Sequence, residues 1–254
     1  MRMNKDKRIQ VGIDAWHFKA VVTGVTDVID FAEWLAMERK YDVYFLQEAI
    51  KEEDLEDLDI LMIISPGYEF DEEEIRNIVK WVHKGGILLV TRPVGKPEII
   101  NPLLKNFGAE FTGEEVDSWA FYANVPDEIL RRGDTKKLEL IRKLLMNSPI
   151  KNNLKAIAEG SPKDKKRPYL LNLKDQDWII IGSATKDNIA RAVAAMKKVK
   201  EGLVIVLGVI YLFYKWRFWE KHKHLEEEKD SVLTNYNFIK NLLDYIEKES
   251  KKRK

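Results

Sequence analysis

Apolar residues fall in two rhythms along this chain. Residues 8–16 (RIQVGIDAW), 58–66 (LDILMIISP), 85–93 (GGILLVTRP), 177–184 (DWIIIGSA) and 202–214 (GLVIVLGVIYLFY) are short runs, largely apolar and rich in β-branched residues. That length and content predict buried strands. Residues 41–47 (YDVYFLQ) alternate at period two and predict a further strand. Between the runs lie stretches with helical spacing. Residues 26–40 carry Val28, Phe31 and Leu35 on one face, and residues 70–86 (FDEEEIRNIVKWVHKGG) carry Ile75, Ile78, Val79 and Val82. The second stretch shows its own start and stop: Asp71 as N-cap with Glu74 as its capping-box partner, Phe70 and Ile75 as a hydrophobic staple, and Gly85 or Gly86 to end it.

Strands apolar on both faces, alternating with helices, predict an α/β fold. Its expected form is a doubly wound, mostly parallel sheet with helices on both faces, flavodoxin-like in architecture. Residues 97–108 predict a short helix ending at Gly108, and residues 135–148 another. Residues 109–129 read as extended or hairpin structure, and residues 187–202 as either a helix or an antiparallel strand pair. The run from 202 is a late core strand, central in the sheet. Ile239, Leu242, Leu243 and Ile246 mark one face of a C-terminal helix at about 234–250. No internal repeat or long linker interrupts the chain, so one domain over 1–254 is expected, with a less regular insertion at about 109–170.

Composition narrows the chemistry. Among 254 residues there are 43 basic and 42 acidic side chains, a net charge of +1, which gives no global attraction to nucleic acid. There is no cysteine, which excludes disulfides, thiolate metal sites and thiol nucleophiles. Balanced Lys and Glu without Cys also resembles thermophile usage. The basic N-terminus has no apolar stretch behind it, so no secretory signal is expected and the expected location is cytoplasmic. The apolar run at 202–214 falls short of the roughly 20 residues a transmembrane helix needs.

Five phrases in order carry a resemblance: DILMIISPGYEFDEEEIRNIVKWVHKGGILLVTRP, INPLLKNFGAEFTGEEV, NSPIKNNLKAIAEGSP, DWIIIGSATKDNIARAVAAMKKVKEGLVIVLGVIYLF and LTNYNFIKNLLDYI. In that order the chain, from about 8 to 246, resembles class I glutamine amidotransferase-like domains. The branch it is most similar to comprises prokaryotic domains that include auxiliary components of gliding-type ABC transport systems, with a relative in an intraflagellar transport protein. The resemblance implies a flavodoxin-like fold and a partner in a transport or membrane complex. Two departures stand out. Related domains follow their late strand with Gly-Asp, whereas here Gly208 precedes Val209. Catalytic amidotransferases need a Cys on the turn after a central strand, and the turn after GGILLV offers Thr91, Arg92 and Pro93.

Other chemistries find little support. No G-x-S-x-G surrounds Ser65, Ser161 or Ser183, and no dinucleotide or P-loop signature occurs, so no cofactor is expected. His222 and His224, two apart, suit a solvated stretch better than a metal site, and no metal is expected. His83 at a helix end is placed to offset the helix dipole. The best polar cluster follows the first strand, since open α/β sheets bind ligands beyond the carboxyl ends of their strands. Asp14, Trp16, His17 and Lys19 would converge there with Ser65, Tyr68, Thr91 and Arg92, a set suited to a small polar ligand or a peptide. The competing reading packs Trp16 on the sheet edge and leaves the charges solvated. At 214–224 (YKWRFWEKHKH), Trp216, Arg217 and Trp219 are candidates for partner contact, with nucleic acid or a membrane surface as the alternative. Three function classes follow: a binding or assembly module, which could be a homo-oligomer; a hydrolase using water with Asp14 and His17; and a binder through 214–224.

Overall fold

The computed structural model describes residues 8–18, 25–118, 120–131, 135–152, 154–158, 167–214, 220–221 and 234–252. Its elements in chain order are β1 (Gln10–Asp14), α1 (Val25–Met37), β2 (Asp42–Leu46), α2 (Glu52–Leu55), β3 (Ile60–Ile63), α3 (Glu72–His83), β4 (Ile87–Thr91), α4 (Asn101–Lys105), β5 (Ala109–Glu115), β6 (Ala120–Tyr122), α5 (Asp127–Leu130) and α6 (Thr135–Leu144). There follow β7 (Ala156–Ala158), β8 (Tyr169–Leu173), β9 (Ile179–Lys186), β10 (Ile189–Val199), β11 (Gly202–Leu207), α7 (Tyr211–Tyr214) and α8 (Asn235–Lys251).

Among the described residues, nine strands form one sheet in the order β2-β1-β3-β4-β11-β10-β9-β6-β7. From β2 to β11 every pairing is parallel, which reproduces the flavodoxin-like order in half of the sheet. From β11 to β7 every pairing is antiparallel. The sheet is therefore mixed, where the apolar runs predict a mostly parallel one. The reason is local. β9, β10 and β11 are joined by two-residue connections, and a connection that short can only return the chain antiparallel to itself. Asp187 (φ 51°) and Asn188 (φ 63°) supply the left-handed pair that a type I′ hairpin turn requires, and Lys200 (φ 51°) stands at the second turn. Residues 187–202 are thus extended and not helical, but they form one long strand, β10, pairing antiparallel with β9 and β11 in place of a strand pair of their own, and β11 occupies the middle of the sheet. Residues 109–129 are extended at β5 and β6 but make no hairpin: β5 pairs with β8 in a separate two-stranded sheet, and β6 pairs with β7 and β9.

The strands are apolar throughout because both of their faces are covered. Val11, Ile13, Ile60, Met62, Ile87, Leu89, Leu203 and Ile205 enter the core that holds Phe31 and Leu35 of α1 and Phe238, Ile239, Leu242 and Leu243 of α8. Their neighbours Leu61, Ile63, Leu88, Val90, Val204 and Val206 enter the opposite core with Ile78 and Val82 of α3 and Leu103 and Leu104 of α4. Alternate residues feeding two cores leave no position for a polar side chain. No helix among the described residues is long and apolar enough to cross a membrane, and the run from 202 divides into β11, a turn at Gly208 and the short α7.

α3 carries the termini its sequence specifies. Asp71 Oδ1 accepts from the Glu74 amide at 2.8 Å and Glu74 Oε2 accepts from the Asp71 amide at 2.9 Å, a complete capping box. At the other end Gly85 has φ 118°, its amide donates to Val82 O at 3.0 Å, and the Gly86 amide donates to Trp81 O at 3.0 Å. These two bonds are the Schellman arrangement, and they turn the chain straight into β4.

Candidate functional site

β1, β3 and β4 end at the same edge, and β1 lies where the strand order reverses, between β2 and β3. Ligands of open α/β sheets bind at such a crevice. Here backbone bonds lace the three following loops together. The Gly67 amide donates to His17 O at 2.7 Å, Phe18 bridges to Pro66, and the Val94 amide donates to Pro66 O at 2.9 Å.

His17 lies at the centre, 1% exposed. Its Nδ1 is 3.1 Å from Asp14 Oδ2 and its Nε2 is 3.3 Å from Glu74 Oε2. The ring stacks on Phe70 with centroids 3.7 Å apart. Asp14 Oδ1 also accepts the amides of Trp16 (3.1 Å) and His17 (3.2 Å), a local turn that pulls the imidazole back over the end of β1. Glu74 has a third duty, since its Oε1 accepts from the Ile50 amide at 2.8 Å. One carboxylate thus caps α3, anchors the loop after β2 and faces His17. Burial pulls the His17 pKa down, but hydrogen bonding and charge from Asp14, reinforced by Glu74, outweigh it and raise the value above the ordinary range. The ring is held towards the imidazolium, donating from both nitrogens.

Ser65 and Thr91 form the second layer. Ser65 is fully buried with φ 52°, an unusual conformation for a residue with a Cβ. Its amide donates to Thr91 Oγ1 at 2.7 Å, while its own Oγ has no hydrogen-bond partner among the described residues. Thr91 and Arg92 lack the left-handed backbone of a nucleophile elbow, so the strained turn follows β3 and not β4. Arg92 points away from His17's neighbours: its guanidinium lies 4.2 Å over the Tyr169 ring, donates to Arg167 O at 2.9 Å and stands 3.5 Å from Glu115.

The eight sequence candidates therefore separate. Asp14, His17, Ser65, Thr91 and Arg92 are buried, whereas Trp16 (54%) and Tyr68 (56%) stand exposed on the rim. Lys19 lies outside the described residues, as do Trp216, Arg217, Trp219, His222 and His224. Neither bland expectation for the first loop holds, because Trp16 does not pack down and the Asp14 charge is not solvated. Glu74 joins the cluster although its sequence signal, the capping box, advertises only one of its three contacts. His83 also differs from expectation. Burial and then the Lys200 ammonium, 3.3 Å from its Nδ1, lower its pKa, so the charged form that would offset the dipole is disfavoured. Asp14, His17 and Glu74 are metal ligands by type, but the described residues contain no group of three arranged to hold an ion, since each carboxylate takes a different ring nitrogen.

No family model and no curated protein matches this sequence. Solved structures do match in shape. The N-terminal domain of mmIFT52 superposes with a TM-score of 0.63 at 13% identity, covering 94% of this chain and 97% of that one. A ThuA-like protein from Bacteroides uniformis superposes with a TM-score of 0.56 at 12% identity, covering 97% and 94%. These two likenesses place the chain in the same overall α/β architecture. That architecture agrees with the amidotransferase-like resemblance carried by the five phrases. The exo-β-1,4-mannosidase Op5Man5 from Opitutaceae bacterium strain TAV5 matches with a TM-score of 0.50 at 13% identity over 87% of this chain and 34% of its own. At such identities the likeness is one of fold. Within this fold, the chain has no cysteine, and its strand-end crevice is closed over a buried imidazole.

The raised pKa of His17 fixes a sign. A group that binds its proton more tightly when folded contributes stability that is complete below its unfolded pKa, near 6.5, and is lost as pH rises through the folded value. Wild type is therefore expected to lose stability relative to His17→Gln as pH is raised from about 6 to about 9 in urea unfolding. Parallel curves for the two proteins would remove His17 as the proton site.

Proposed function

We propose that this chain is a non-catalytic binding or assembly module of amidotransferase-like fold, acting as a single unit. The observation that carries the reading is the engagement of both His17 nitrogens by buried carboxylates. A general base needs one ring nitrogen free to meet a substrate or a water. In this reading Asp14, His17, Ser65, Thr91 and Arg92 fix the shape of the strand-end loops, and the contact itself is made by Trp16 and Tyr68. Exposed aromatics supply large area at little entropic cost, which suits a peptide or protein surface. The similarity to auxiliary components of gliding-type ABC transport systems supports a transport or membrane complex as the setting. The hydrolase alternative, water activated by Asp14 and His17, has the two side chains within reach of each other, but the imidazole is not accessible.

The test is a panel of amide, ester and glycoside substrates, run with wild type and with His17→Ala and Ser65→Ala. No turnover that depends on either residue is expected. Turnover abolished by either substitution would overturn the proposal. In a parallel thermal-shift screen of peptides and small polar compounds, any stabilising ligand should lose at least about tenfold in affinity in Trp16→Ala/Tyr68→Ala, the scale of one hot-spot contact.

A further inference from the structure

The two edges of the nine-stranded sheet are treated differently. At the β7 edge, the Thr234 amide donates to Ala156 O at 3.0 Å and Thr234 Oγ1 accepts from the Lys155 amide at 3.0 Å, so the chain entering α8 covers that edge. At the β2 edge, no strand or backbone hydrogen bond among the described residues reaches the outer side. β2 is bound to β1 through the Asp42 amide to Ile9 O (3.0 Å) and Leu46 O from the Ala15 amide (2.9 Å). By alternation, Asp42, Tyr44 and Leu46 turn their backbone groups to β1, and Val43 and Phe45 turn theirs outward. Large apolar side chains accompany the open edge: Tyr44 is 50% and Phe45 39% exposed.

An outward edge of this kind is a template for another strand. The sequence around it is self-complementary. In an antiparallel pair of β2 strands centred on Tyr44, Val43 of each copy lies opposite Phe45 of the other, and both present outward amides and carbonyls, so four backbone hydrogen bonds can form. Tyr44 meets Tyr44 as the close, non-hydrogen-bonded pair on one face, the geometry in which aromatic cross-strand pairs interact best. The charges at the two ends agree with this register. Lys40, whose Nζ donates to Met37 O, precedes the strand and Glu48, 3.6 Å from Lys51 Nζ, follows it; both are exposed, so in an antiparallel pair each copy's Lys40 comes to the end that holds the other's Glu48. Sliding the pair by one step to centre on Phe45 would set Asp42 opposite Glu48, like charge on like charge.

We propose that two copies of this chain join edge to edge through β2, antiparallel and centred on Tyr44, to make one continuous sheet across the pair. Five-residue strands bury less than a standard interface, so the association is weak and concentration-dependent, with Kd on the order of 1–100 μM. It is independent of the rim contact proposed above.

Sedimentation equilibrium of the full chain, from about 1 to about 300 μM, tests it, that range bracketing the expected Kd. Wild type should pass from monomer to dimer. Phe45→Pro removes an outward amide without touching the bonds to β1, because proline is tolerated on an edge strand where its nitrogen faces solvent; it should raise Kd at least tenfold with an unchanged circular dichroism spectrum. Glu48→Lys should weaken association and Lys40→Glu/Glu48→Lys should restore it, a rescue that reads out register independently of folding. Wild type that stays monomeric across the range overturns the proposal. So does a dimer indifferent to both Phe45→Pro and Glu48→Lys, which would place the interface elsewhere.

Discussion

Glu74→Ala is expected to destabilise the protein by about 3–5 kcal/mol, the range for removing one partner of a buried charged pair. Three losses coincide. The Asp71 amide at the N-terminus of α3 loses its acceptor, the Ile50 amide loses its acceptor at 2.8 Å, and the buried His17 loses the carboxylate opposite Nε2. The residue is 4% exposed, so water does not replace its carboxylate freely. Glu73→Ala, one position earlier and exposed, should stay within about 0.5 kcal/mol of wild type. Chemical denaturation of the two variants in parallel is the measurement. Equal losses would mean that the acidic first turn acts through the helix dipole alone and that the Glu74 cluster contributes nothing.

Gly202→Ala carries the second large effect, about 3 kcal/mol and at the upper end of overpacking penalties. A Cβ on Gly202 would lie 2.0 Å from Val82 O and 2.8 Å from Gly86 O. Both obstacles are backbone, fixed by the C-terminal turn of α3 and by the Leu203 amide, which donates to Gly86 O at 3.2 Å. No rotamer change relieves the clash, so β11 and α3 must separate at the centre of the sheet. Glu201→Ala, exposed in the hairpin turn beside it, is the neutral comparison. A melting temperature for Gly202→Ala within a degree or two of wild type would show that the two elements slide apart cheaply and that this contact does not hold the sheet to its helix layer.

Much of the candidate site was legible one residue at a time and illegible as an assembly. Asp14 and His17 were found because they follow the first strand, where α/β ligands bind. Their burial was not visible, since an aspartate three residues before a histidine has the same spelling whether it is solvated or sealed under Phe70. Glu74 was read as a helix cap, which it is. Its bonds to Ile50 and His17 depend on segments 24 and 57 positions earlier in sequence, and no local pattern reports such contacts. Ser65 likewise shows no signal of its positive φ, because the neighbouring Pro66 and Gly67 announce a turn without saying which residue takes the strain.

The sequence by itself determined the elements that depend on near neighbours: the helix starting at Asp71 and stopping at Gly85, the buried runs that became β1, β3, β4 and β11, and the absence of thiol chemistry. Capping bonds, turn preferences and the period of apolar positions act within a few residues, so they are written in the chain directly. Tertiary structure alone decided that β6 and β7 extend the sheet beyond β9, that five of the candidate polar residues are interior, and that β2 stands at an edge no described strand covers. Those outcomes rest on which segments meet across the sheet and on how two covering layers exclude water from what lies between them, and distant pairings of that kind leave no periodic trace in the residues that make them.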